Sequence, residues 1–108
     1  MSQTTDKPIY EIDGADFSTL DGFYDALMAA MPLPSWFGRN LDALNDVFRE
    51  YFWPDGPFVL VWKNHELSKE HFNYYYHPSH EKVLFDLLVE IMTEGDGEVR
   101  EWVELRLE

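Results

Sequence analysis

The stretch Phe58-Val59-Leu60-Val61-Trp62 is a continuous apolar run flanked by turn residues, and it decides the fold. A strand with one face in solvent would carry a polar side chain at every second position, and this run carries none. Such a pattern is typical of a strand that is buried on both faces, as in a parallel sheet covered by helices. The run therefore predicts the central strand of a parallel sheet.

Two outer strands are predicted closer to the ends of the chain. Residues 9–14 read as a short strand that closes on an Asp-Gly turn. Val103, Leu105 and Leu107 alternate with charged residues, which is the pattern of an edge strand. Because helical patterns separate all three strands, their connections are expected to be crossovers between parallel strands.

Two helices are predicted before the central strand. The first begins at Ser18-Thr19-Leu20-Asp21, which resembles a capping box, and ends before Pro32. The second covers residues 40–52, and Trp53-Pro54-Asp55-Gly56-Pro57 then breaks the chain.

Two further helices are predicted after the central strand. Residues 68–76 are expected to form a short helix followed by a loop, and residues 79–94 a long helix that Gly95 ends. The predicted fold class is therefore α/β, a three-stranded parallel sheet packed by about four helices.

Length and composition indicate one folded domain over residues 1–108, with residues 1–7 expected to form a frayed N-terminus. The chain is 45% hydrophobic and has no cysteine, which excludes disulfides and thiol chemistry. No apolar run approaches the roughly 20 residues of a membrane span, and no secretory signal is visible. We therefore expect a cytoplasmic protein.

The chain is strongly acidic, with 8 Lys and Arg against 21 Asp and Glu and a net charge of −13. This charge would repel a phosphate backbone, so direct nucleic-acid binding is disfavoured. It would speed the encounter with a cationic partner. Solubility alone also explains many acidic domains, so the charge becomes informative only where it is focused.

Negative charge is concentrated on one side of the predicted helix over residues 40–52. The apolar residues of this helix fall on one arc of its circumference. Asp42 and Asp46 lie on the opposite side, one turn apart, where like charges cost a few tenths of a kcal/mol. The helix dipole alone can account for Asp42, and an i,i+3 pair with Arg49 can account for Asp46. From the residues, a functional and a purely structural interpretation are equally open.

The turn before this helix contains Trp36-Phe37-Gly38. Two adjacent bulky aromatic residues in a tight turn cannot easily both point inward, so one of them is expected on the surface. Gly38 is most simply explained by a backbone conformation that other residues resist, and Asn40 by helix N-capping.

Catalytic patterns are weak. The sequence contains no phosphate-binding loop, nucleophile elbow or zinc-type spacing. Four histidines cluster at His65, His71, His77 and His80, and together with Glu81 they leave a metal-dependent enzyme as a remote alternative.

The pattern in Pro34-Ser35-Trp36-Phe37-Gly38-Arg39-Asn40-Leu41-Asp42-Ala43-Leu44-Asn45-Asp46 resembles the barstar family of intracellular inhibitors of secreted bacterial ribonucleases such as barnase. Weaker similarity extends to the central strand, to Ile12-Asp13-Gly14 and to Glu94-Gly95. The family fold, a three-stranded parallel sheet with helices, agrees with the order of elements predicted above.

The resemblance implies a partner-binding surface. Asp46 would be the main anion in the enzyme's cationic pocket, Asp42 the second helix contact, and Trp36 would stack on the catalytic region. The implied partner-binding residues are Trp36, Gly38, Asn40, Asp42, Asn45, Asp46 and Glu90.

Several positions depart from the family pattern. Asn45 replaces a family Trp, and Arg39 stands where the family's type member has Glu, which places positive charge beside the site. The chain is also longer around residues 64–80 and 94–103.

The predicted function is inhibition of a basic, extracellular-type ribonuclease in self-protection or immunity, with no catalytic residue, cofactor or metal. We expect a monomer that forms a 1:1 heterodimer and binds neither nucleic acid nor membrane. The alternatives are an acidic module for a basic non-ribonuclease partner and, remotely, the metal-dependent enzyme.

Overall fold

The computed structural model of the protein describes residues 7–50, 57–94 and 99–108. The elements of these residues follow one another as β-α-α-β-α-α-β: β1 Ile9–Asp13, α1 Leu20–Ala30, α2 Leu41–Glu50, β2 Phe58–Lys63, α3 His65–His71, α4 Leu84–Thr93 and β3 Val103–Leu107.

The three strands form one parallel sheet in the order β1-β2-β3, so β2 is central. Leu60 lies in register between Tyr10 of β1 and Leu105 of β3. The predicted fold class, the central strand and the edge position of the last strand are confirmed.

The two faces of β2 are both buried but differ in chemistry. Phe58, Leu60 and Trp62 belong to the main hydrophobic core, whereas Val59 and Val61 are buried outside it. The register places charged neighbours beside the two valines, namely Glu11, Glu104 and Arg106. The second face therefore carries long charged side chains of the flanking strands beside the two buried valines.

Aromatic packing around Trp62 joins the helices to the sheet. Its ring centroid lies 5.2 Å from that of Phe23 on α1 and 5.1 Å from that of Phe85 on α4. Such ring pairs add about 0.5–1.5 kcal/mol each beyond their burial. One large residue on the central strand thus contacts both the first and the last helix.

Helix α1 begins within the segment that the sequence indicated, but its cap lies one residue later than the Ser18–Asp21 capping-box pattern implies. Thr19 is the N-cap, and its side-chain oxygen accepts a hydrogen bond from the Gly22 amide at 3.1 Å. This satisfies one of the unpaired N–H groups of the first turn.

The predicted start of α3 was wrong by three residues, because the helix begins at His65 directly after β2. Asn64 adopts a left-handed φ of 52° between strand and helix, and its side chain donates to Asp13 Oδ1 at 2.7 Å. Ser68 is buried inside the helix, where its Oγ accepts from Trp62 Nε1 at 3.0 Å. Its hydroxyl therefore anchors α3 to the sheet instead of capping a helix.

The predicted start of α4 was wrong by five residues, because the helix begins at Leu84. The Ser79 amide and hydroxyl both contact His77 Nδ1, which holds this segment in a turn. The first amides of α4 are satisfied by the preceding loop: Leu84 N donates to Tyr74 O and Phe85 N to Phe72 O. Loop carbonyls thus take the place of a side-chain cap.

The helix ends at Thr93. The proposed stop at Gly95 lies outside the described residues, as do residues 51–52 of the second predicted helix, most of the break at residues 53–57, and the expected frayed residues 1–6.

Replacing Ser68 with Ala should lower the free energy of unfolding by about 1–3 kcal/mol, because the buried Trp62 N–H would lose its acceptor. Urea denaturation followed by circular dichroism measures this. Ser35→Ala, at an exposed position in the turn before α2, is the matched control and should change stability by less than about 0.5 kcal/mol. Equal stabilities of the two variants would contradict the anchoring role of Ser68.

Candidate functional site

Helix α2 is held in one orientation by its apolar side. Leu44, Val47 and Phe48 are fully buried, and Asp42 and Asp46 are exposed. The helix begins after Asn40, whose Oδ1 accepts from the Ala43 amide at 2.7 Å. The predicted cap and the predicted outward direction of both carboxylates are confirmed.

Asp46 has an intramolecular partner on the same helix. Arg49 Nη2 donates to Asp46 Oδ1 at 3.1 Å, in the i,i+3 arrangement that the structural interpretation requires. Because both side chains are substantially exposed, such a pair contributes little to stability. It leaves the second carboxylate oxygen available to another cation.

The two aromatic residues of the preceding turn separate as expected. Phe37 is only 6% exposed, and its ring lies 5.8 Å from that of Tyr24 on α1 in an edge-to-face arrangement. Trp36 is 67% exposed. The burial of Phe37 fixes the turn and leaves Trp36 on the surface beside the start of α2.

The conformational strain in this turn lies at Arg39 and not at Gly38, contrary to the prediction. Arg39 has a left-handed φ of 54°. At Gly38 a Cβ would lie 3.3 Å from the Ala43 Cβ, so a side chain there would press on the first turn of α2. Gly38 is therefore explained by close approach.

The positive charge of Arg39 is bound by helix α1. Its guanidinium donates to Asp21 Oδ1 at 2.5 Å and to Asp25 Oδ1 at 2.8 Å, and it lies 6.0 Å from the Tyr24 ring centroid. The hydrogen bonds to Asp21 and then Asp25 raise the pKa of Arg39. This residue ties the aromatic turn to α1, and two carboxylates compensate its charge.

Asn45 has a structural contact that the sequence did not reveal. Its Oδ1 accepts from Arg100 Nη2 at 2.6 Å, and Arg100 is only 3% exposed. Arg100 also donates through Nε to the Ile91 carbonyl at 3.0 Å, near the end of α4. Asn45 and Arg100 are 55 positions apart in the sequence, so no local pattern could have identified this link between α2 and α4.

Glu90 lies on α4, which packs against α2. Its carboxylate is bonded to Lys82, and this hydrogen bond is the main cause of a raised Lys82 pKa. Glu90 does not line the cleft that contains Asn40, Asp42 and Asn45. The structure therefore groups these three residues and places Glu90 to one side.

That cleft has a volume of about 390 Å³ and lies between α2, α4 and the loop before α4. It is lined by Asn40, Leu41, Asp42, Asn45, Tyr76, His80, Leu87 and Ile91.

A larger groove, of about 610 Å³, lies between β1 and α1 and also carries acidic side chains. Three of its carboxylates are already paired: Glu11 with Lys63, Asp13 with Asn64, and Asp25 with Arg39. The hydrogen bond from Asn64, then that from the Ala15 amide, lowers the pKa of Asp13. Most of the negative charge of this groove is therefore already paired within the described residues.

Within the part of the chain that the structure describes, the histidines do not form a metal site. His65 Nδ1 contacts the Glu108 carbonyl at 2.9 Å, and His77 Nδ1 lies 2.8 Å from Ser79 Oγ. Among the described residues, no three His, Cys, Asp or Glu side chains come together in a way that could hold a metal ion. Within the same residues, no helix combines the length and apolar character needed to cross a bilayer.

Comparison with known proteins agrees with the observed fold. The family model described as "Barstar (barnase inhibitor)" matches residues 8–105. The chain is also 32% identical over 97 residues to "Putative ribonuclease inhibitor YrdF" of Bacillus subtilis (strain 168), which covers 90% of this chain and 94% of that protein.

Replacing Arg39 with Ala should speed amide hydrogen exchange severalfold at residues 36–40, because the turn would lose its attachment to α1. Exchange in α4 should be unchanged. The matched control is Arg106→Ala, which removes an ion pair with Glu104 on β3. If exchange at residues 36–40 were the same in both variants, Arg39 would not hold the turn.

Proposed function

Because this chain belongs to the barstar family, we propose that it inhibits a basic ribonuclease by covering the enzyme's active site with α2 and the turn before it. Membership in this family and the likeness to a relative named as an inhibitor support an inhibitor role over a catalytic one.

The observation that carries the proposal is the display of Trp36, Asp42 and Asp46 on one rigid unit. Trp36 is exposed in a turn that Phe37 and Arg39 attach to α1, and both carboxylates are exposed on a helix whose other side is buried. A preorganised surface loses little conformational entropy on binding. Aromatic and charged residues arranged in this way are common at the energetic centre of interfaces.

The proposed contact imitates the RNA substrate. A ribonuclease active site presents cationic groups to the phosphate backbone, and a carboxylate can take the place of a phosphate oxygen in charge-assisted hydrogen bonds. Asp46 is assigned to the centre of this pocket and Asp42 to its edge. Trp36 is assigned to an aromatic contact, with Gly38 and Asn40 allowing close approach of the turn.

The remaining assigned residues have supporting roles. Asn45 holds Arg100 and thereby fixes α2 against α4, so we assign it to shaping the surface as well as to the contact. Glu90 is assigned to the rim of the interface, where it would exchange its Lys82 partner for a cation of the enzyme.

The net charge of −13 supports the same partner class. It favours encounter with a basic protein and opposes direct RNA binding. An inhibitor protects a producing cell only if it meets the ribonuclease before export, so the proposal places a 1:1 heterodimer in the cytoplasm.

Asp46→Ala should weaken binding to barnase by about 2–5 kcal/mol, because one charge of a desolvated pair would be left without its partner. Calorimetric titration measures the affinity, and an RNA cleavage assay measures inhibition in the same samples. Glu108→Ala, which also removes one exposed carboxylate but lies directly after β3, should bind like the parent protein.

Equal affinities of the Asp46→Ala and Glu108→Ala variants would contradict the assignment of Asp46. If the parent protein bound barnase tightly but did not reduce its cleavage of RNA, the alternative of an acidic module that binds other basic surfaces would be favoured.

The association rate constant with barnase should fall about tenfold or more between low salt and about 0.5 M NaCl, because dissolved ions screen the attraction between the opposite net charges. The dissociation rate constant should change much less. Stopped-flow mixing at several salt concentrations separates the two rates, and an association rate independent of salt would contradict charge steering.

A further inference from the structure

We propose that the loop between α3 and α4 (residues 72–83) is a second part of the partner-binding surface, and that the cleft between this loop and α2 binds an arginine side chain of the partner. The proposal rests on the proposed function, since it adds a contact to the same surface. Its residues are Tyr76 and His80 on the loop, Asp42 on α2, and Leu87 and Ile91 on α4.

The loop is held in place by hydrogen bonds at both ends. The carbonyls of Phe72 and Tyr74 accept from the first amides of α4, at 3.1 and 2.6 Å. In the second half of the loop, His77 O accepts from the His80 amide at 2.9 Å and His77 Nδ1 contacts Ser79. The loop can therefore present its side chains in defined positions.

The loop displays three consecutive tyrosines. Tyr74, Tyr75 and Tyr76 are 47%, 57% and 50% exposed. Tyrosine provides large contact area with few rotatable bonds and is enriched at protein interfaces. Three exposed tyrosines in one loop are explained by contact with another protein better than by solubility.

The cleft combines apolar and anionic surfaces. Leu87 and Ile91 contribute apolar side chains from α4, and Asp42 contributes a carboxylate from α2. Tyr76 stacks on His80 with ring centroids 6.2 Å apart and an angle of 15° between the planes. His80 Nδ1 is buried and has no hydrogen-bond partner among the described residues.

These features fit arginine better than lysine. A guanidinium is flat and weakly hydrated, so it can stack on an aromatic ring while it pairs with a carboxylate. Its aliphatic stem can lie on Leu87 and Ile91 with the charge near the mouth of the cleft. The ammonium of lysine lacks the planar group and holds its water more strongly.

The cleft is continuous with the proposed inhibitory surface, because Asn40, Asp42 and Asn45 belong to both. A basic enzyme that covers Trp36 and Asp46 would meet the tyrosine loop at its edge. The proposed contact therefore selects, among basic partners, those that carry an arginine at this edge.

The test uses a probe that does not depend on the ribonuclease. ¹⁵N-labelled protein is titrated by NMR with acetyl-Gly-Arg-Gly-amide and, separately, with acetyl-Gly-Lys-Gly-amide. The arginine peptide should shift the amide signals of Asp42, Leu87 and Ile91 with a dissociation constant in the millimolar range, and the lysine peptide should bind about threefold or more weakly.

Variants identify the groups involved. Tyr76→Ala and Asp42→Asn should each weaken binding of the arginine peptide about threefold or more, whereas Tyr76→Phe keeps the ring and should bind like the parent protein. Tyr75→Ala is the matched control, since Tyr75 is exposed but does not line the cleft. Absence of shifts at the cleft, or equal binding by the Tyr76→Ala and Tyr75→Ala variants, would overturn the proposal.

Asp46→Ala separates this proposal from the proposed function. It should abolish tight binding to barnase and change the affinity for the arginine peptide by less than about twofold, because Asp46 does not line the cleft. In the parent protein, absence of peptide binding together with intact barnase inhibition would overturn the cleft alone, and peptide binding without barnase inhibition would overturn the inhibitor assignment alone.

Discussion

The burial of Leu44, Val47 and Phe48 fixes the rotation of α2 about its axis, and the acidic surface depends on that rotation. A helix places residues four apart on one face, so once these three side chains enter the core Asp42 and Asp46 must point outward together. A polar substitution at Val47 would both weaken the core and release this orientation. Stability and the proposed binding surface are therefore linked through one helix, which explains why a protein with so much negative charge can still display it in a defined arrangement.

The turn before α2 illustrates how a departure from the family pattern can be absorbed. Arg39 adds a positive charge at a surface that is proposed to attract cations, which would be unfavourable if the side chain were unpaired. Asp21 and Asp25 on α1 bind its guanidinium, and the charge then holds the turn in place. The α2 site keeps its negative potential because the compensating carboxylates come from another helix. Asn45 is similar: where the family has an aromatic contact, this chain has an amide that binds the buried Arg100.

Most of the fold could be predicted because it follows from local periodicity. The apolar run of β2, the alternation in β3 and the polar start of α1 each involve residues close in sequence. The starts of α3 and α4 could not be predicted, since Ser68 bonds to Trp62 and the first amides of α4 bond to loop carbonyls that show no sequence signal. The acidic side of α2 was predictable from its helical spacing. The cleft beside it was not, because Tyr76 and His80 come from a distant loop of irregular structure, and neither was the buried Arg100, whose partner lies 55 residues away.

The Asp46–Arg49 pair bears on how the surface can remain soluble and still bind tightly. An exposed ion pair of this kind contributes only about 0–1 kcal/mol, because water and salt screen it. Moving the Asp46 carboxylate onto a cationic pocket would therefore cost little within the inhibitor. In the proposed complex water would be excluded, and the same carboxylate would interact in a lower effective dielectric, where attraction between opposite charges is several times stronger. The gain is retained only if the pocket supplies enough donors to satisfy both carboxylate oxygens, since burying a charge with an incomplete set of partners is costly. This condition favours an enzyme with several converging cations, which is the arrangement that a phosphodiester substrate requires, over a basic surface with dispersed lysines.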